Sequence, residues 1–141
     1  MSVVATPHYL QFFVDRRQCF AELLQLSREQ HLLIDTDDYT TLLVVLGNKQ
    51  RVIGRLEEIG RMNPYLGTDW PTQRDRLPPT LRKACEQVLA DTETILAELM
   101  EEERQCTQFL THRREETRLQ LQGISAGQNA QSAYRDSLAP V

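Results

Sequence analysis

The sequence has no long apolar run. Its longest, Leu42 to Leu46, covers five residues, against the roughly 20 that a membrane-spanning helix needs. The N-terminus lacks the basic-then-apolar order of a secretory signal, so a cytoplasmic protein without membrane insertion is expected. Charge of one sign is lacking too: 20 acidic and 16 basic residues leave a net charge of -4 over 141 residues. That balance draws the chain neither to nucleic acid nor to anionic lipid. Aromatic residues are sparse at 6%, and the apolar share of 40% is short of the usual globular value, which points to one elongated domain with a thin core. Cys19, Cys85 and Cys106 are odd in number and widely spaced. They encode neither a disulfide framework nor a zinc site and read as small apolar helix residues.

Catalytic constellations are missing as well. His8, His31 and His112 lie far apart, and no Glu-x-x-His pair occurs, which removes the usual di-metal signature of helical bundles. Asp35, Asp37 and Asp38 begin like a calcium loop, but Thr40 stands where the glycine belongs and Leu46 where the final glutamate belongs. Gly47-Asn48-Lys49 lacks the other elements of a phosphate loop. No enzyme, metal or cofactor is expected.

What the sequence does contain is helical periodicity punctuated by proline. Thr6-Pro7 reads as a cap and a first-turn proline, and Leu10, Phe13, Phe20, Leu23, Leu24, His31 and Ile34 follow at three- and four-residue steps, predicting a helix over 7–34. The acidic turn Asp35 to Asp38 then caps a second helix over 38–61. Leu42, Leu46, Lys49, Ile53 and Leu56 form the stripe of that helix, and Gly47 and Gly54 on one side could admit a close neighbouring backbone. Residues 62–78 hold Pro64, Pro71 and Pro78, and predict a crossover loop anchored by Tyr65, Leu66 and Trp70. A third, longer helix is expected over 79–122, its seam turning polar near Glu102 and Arg113. Polar seam residues there form a solvated face, set register or mark the point where the rod leaves the bundle. Gly123 is expected to end it, leaving 123–141 as a mobile tail in which Ala130, Tyr134 and Leu138 recur every four residues. The fold class is thus all-α: an elongated antiparallel hairpin or bundle of three main helices, residues 1–122, with a flexible end.

Helical rods with spare apolar seam commonly bind other helices. The candidate surface is the seam at Val88, Ile95, Leu99, Phe109 and Leu110. Leu23-Leu24-x-Leu26-x-x-Glu29-Gln30, Tyr39-x-x-Leu42-Leu43, Lys49-Gln50-x-x-Ile53-x-x-Leu56 and Ala133-Tyr134-Arg135 together resemble the FlgN-like flagellar export chaperones of type III secretion. The resemblance implies a cytoplasmic chaperone that holds hook-filament junction proteins unassembled and delivers them to the export gate. It also implies that the C-terminal helix region wraps the substrate and that Tyr134 assists docking to the gate component. The 62–78 loop and the interrupted seam depart from the family pattern. The competing reading is a coiled-coil structural protein whose third helix pairs with a second copy, as a homodimer.

Overall fold

The computed structural model describes residues 8–138, with side chains through Arg135. Thr6, Pro7 and the last three positions of the expected tail lie outside the described residues, as does the side chain of Leu138. The order is α1 (Tyr9–Leu33), α2 (Tyr39–Met62), α3 (Leu66–Gln73), a 3-10 turn (Arg74–Arg76) and α4 (Pro79–Leu138). No strand occurs among the described residues, and the all-α expectation holds.

The α1–α2 turn forms as its composition dictates. Ile34 N–H closes α1 on the Gln30 carbonyl at 3.0 Å, and Thr36 Oγ1 donates to the Leu33 carbonyl at 2.8 Å. Asp38 then caps α2, accepting from Thr41 N at 3.1 Å and from Thr41 Oγ1 at 2.6 Å. These bonds satisfy donors that a helix start leaves open, and they hold the Asp38 carboxyl below its ordinary pKa.

Residues 62–78 are not the continuous loop that their breakers suggest. Asn63-Pro64 ends α2, but Leu66–Gln73 is helical with Pro71 inside it. So short a helix loses one backbone bond to Pro71, and the residue that would have accepted it, Gly67, has no side chain. Packing offsets the loss. Trp70 lies 5.3 Å from the Tyr9 ring and 5.0 Å edge-on from Phe13, and Leu66 packs on the same cluster. Trp70 and Leu66 therefore anchor this segment as anticipated, whereas Tyr65 is exposed.

The helix expected to stop at Gly123 runs on to Leu138. Gly123 has no positive φ, so it does not make the left-handed C-terminal turn that ends many helices. Ala126, Gln128, Ala130, Gln131 and Ala133 are helix formers, and no proline intervenes before Pro140.

The chain divides into two compact units, Met1–Arg104 and Gln105–Val141. In the first, the helix directions follow from their ion pairs. Glu22 meets Arg55 while Gln30 meets Lys49, so α2 runs back along α1. Arg17 meets Asp91 and Arg28 meets Glu98, so α4 runs with α1. Two apolar clusters fill the bundle: Tyr9, Phe12, Phe13, Cys85 and Val88 at one level, then Cys19, Leu23 and Val52. Cys19 and Cys85 are buried thiols, not joined in a disulfide, and burial pushes both up, which suits apolar filling rather than reactivity. A Cβ on Gly47 or Gly54 would meet nothing within 4 Å; no backbone makes the close approach those glycines could have allowed.

Candidate partner-binding surface

The first unit closes on a polar layer. Ser27 and Gln30 are polar residues on the inward face of α1, both buried. Lys49 of α2, its side chain 13% exposed, donates to Gln30 Oε1 at 2.7 Å and to Glu103 Oε1 at 2.5 Å. Ser27 Oγ donates to the same Glu103 oxygen, and His31 Nδ1 lies 2.6 Å from Glu102. Burial opposes the Glu103 charge, yet the hydrogen bonds from Lys49 and Ser27 and the Lys49 ammonium outweigh it and hold this carboxyl below its usual range. Three helices are tied at one level, which fits the register-setting reading of the polar seam. Lys49 and Glu102 are visible on their helical stripes in the sequence. Ser27 and Gln30 were missed, although their spacing from Leu23 and Ile34 by four, three and four residues marks them as inward.

The seam residues divide across this layer. Val88 is buried against Tyr9, Phe12, Phe13 and Cys85; it belongs to the core and is not open to a partner. Leu99 packs half-buried on the second cluster, and Ile95 is half-buried. The seam expected to be open is thus largely filled within the first unit.

The second unit differs. Every residue from Leu110 to Arg135 is exposed, and Phe109 is half-buried. Helical spacing sets Leu110, Thr117, Leu121 and Ile124 on one row, since steps of seven, four and three keep returning to one side. Ion pairs between Arg118 and Glu115, and between His112 and Glu116 at 3.1 Å, lie off that row. Leu121 and Ile124 are 61% and 58% exposed. Ile124 lies beyond the helix end expected at Gly123, whereas Leu121 lies inside the expected helix and outside the candidate seam. Tyr134 is also exposed, at 67%, but it lies off this row by helical spacing.

Isolated helices gain little from their backbone bonds alone and are marginal in water. An all-exposed helix carrying an apolar row is therefore suited to stabilisation by another polypeptide, since complete burial of Leu110, Leu121 and Ile124 is worth about 5 kcal/mol before ordering costs. Comparison with protein-family models, with curated proteins and with solved structures returned no match.

Proposed function

We propose that the chain is a helical export chaperone of the FlgN-like kind, which holds hook-filament junction proteins in the cytoplasm and passes them to the flagellar type III export apparatus. The observation that carries the binding reading is the exposed row Leu110, Leu121 and Ile124 on a helix whose residues 110–135 are all exposed. The flagellar assignment rests on the sequence resemblance at Glu29-Gln30, Lys49-Gln50 and Ala133-Tyr134-Arg135. The α1–α2 hairpin serves as scaffold, and the C-terminal residues adapt to the substrate.

In mechanism, an amphipathic helix at the end of a junction protein lies along the row and hides the surface through which that protein would polymerise. Phe109 and Leu110 form one end of the contact and Ile124 the other, while Val88 supports the scaffold from inside. Tyr134, outside the row, is the residue that meets the gate component.

The test is co-elution of purified junction protein with the full chain, compared with the variant L110S/L121S/I124S. Capture by the wild type and loss in the variant, with the first unit still folded, are expected. Equal capture by both removes the row from the mechanism. A wild-type homodimer that hides the row and ignores junction protein supports the coiled-coil reading instead.

A further inference from the structure

The first unit carries a second surface, unrelated to that row. α1 meets α4 through Arg17, Ser27, Arg28 and His31. A different stripe of α1, at Glu22, Leu26, Glu29 and Leu33, faces a groove shared with α2. Two hollows mark it, of about 350 Å³ between Glu22 and Arg55 and about 280 Å³ between Leu33 and Val45. Val45 and Val52 form its buried floor, one in each hollow. From Glu22 to Leu33 it runs for about 16 Å, or three helical turns.

Charge is ordered along it. Between Glu29 and Asn48 the sequence has four carboxylates and neither lysine nor arginine, so the end near the α1–α2 turn is acidic. Arg51 lies at the opposite end, where Arg55 and Glu22 bridge the groove at 2.7 Å. Among the described residues, neither Glu29 nor Arg51 enters an ion pair. We infer that the α1–α2 groove, on the side away from α4, receives a helix from a partner protein: an amphipathic helix of about three turns with lysine or arginine at the end beside Glu29 and a carboxylate at the end beside Arg51. An apolar stripe at three- and four-residue steps fits the Leu26, Leu33, Val45, Val52 floor. The chain's own exposed row does not match, because the carboxylates within its span, Glu115 and Glu116, sit mid-row and pair with Arg118 and His112.

The probe is a capped 14-residue peptide with leucines at helical spacing, two lysines at one end and two glutamates at the other. The control is an isomer with those charges alternated. Titrated into the ¹⁵N-labelled full chain, the ordered peptide is expected to shift amides within 22–33 and 41–55 and to bind more tightly than its isomer. Leu32, exposed on the groove rim, gives a variant that spares the core. L32S is expected to weaken binding up to about tenfold. E29K and R51E each weaken it about two- to fivefold, and the double reversal E29K/R51E restores it with the peptide turned end for end. Shifts confined to 105–135, no binding at millimolar peptide, or indifference to E29K and R51E overturn the proposal. Groove amides that shift with protein concentration alone assign the groove to a second copy and overturn it equally.

Discussion

Replacing Lys49 by methionine removes the ammonium from the polar layer and leaves two acceptors, Gln30 Oε1 and the Glu103 carboxylate, short of a donor. The cost depends on how much water can substitute. Glu103 keeps 42% of its side-chain exposure and Lys49 only 13%, so the carboxylate recovers part of its solvation while the buried Gln30 recovers little. Breaking a fully buried ion pair costs about 3–5 kcal/mol; with one partner partly wet, about 2–3 kcal/mol is expected. Trp70 sits against Tyr9 and Phe13 and is the only tryptophan, so its fluorescence reports unfolding of the first unit alone. At a urea dependence of about 1.5–2 kcal/mol per molar, the midpoint for K49M falls by about 1–2 M. The double replacement K49M/E103M leaves no uncompensated charge and is expected to recover at least half of that loss. A K49M midpoint within about 0.3 M of wild type, on the same scale, would mean that the Lys49 ammonium contributes little to the polar layer. A double variant as unstable as the sum of the single ones would count equally against the pair.

The Glu103 carboxyl is held below its usual range, so the unfolded chain takes up its proton first as pH falls. The stability it supplies is full above the unfolded pKa of about 4.3 and disappears through the lower folded value; midpoints of wild type and E103Q should converge below about pH 4, and an unchanged gap at pH 3 contradicts the assignment. Gly47 and Gly54 are exposed mid-helix positions with room for a methyl group, so G47A and G54A should each stabilise the first unit by about 0.5–1 kcal/mol in the Trp70 urea titration, and a loss of stability refutes the open space. V88A should cost about 2 kcal/mol through lost core packing, while L121S, on a solvent-facing row, should leave the Trp70 midpoint within about 0.5 kcal/mol of wild type; equal effects would erase the distinction between filled seam and open row.

The parts of the fold legible in sequence are those governed by local rules. Asp38 is a recognisable cap, the α1 and α2 stripes follow helical spacing, and the density of Pro64, Pro71 and Pro78 marks a break between long helices. The errors arise where tertiary context decides. Pro71 is tolerated because Trp70 finds an aromatic pocket, which no local propensity encodes. Gly123 resembles a helix stop, yet alanines and glutamines follow it with no proline before Pro140, and an end expected there leaves Ile124 outside the helix. Val88 continues the α4 period just as Leu110 does. Periodicity specifies which side of a helix is apolar, but not whether another helix already covers it.

Amide hydrogen exchange across residues 110–135, with and without a junction protein, shows whether a partner helix covers the exposed row. Exposed on every side, this helix should open locally and exchange fast in the free chain, then slow by at least about tenfold once a partner helix covers the row. Strong protection in the free, dilute chain, or no added protection at saturating junction protein, contradicts it.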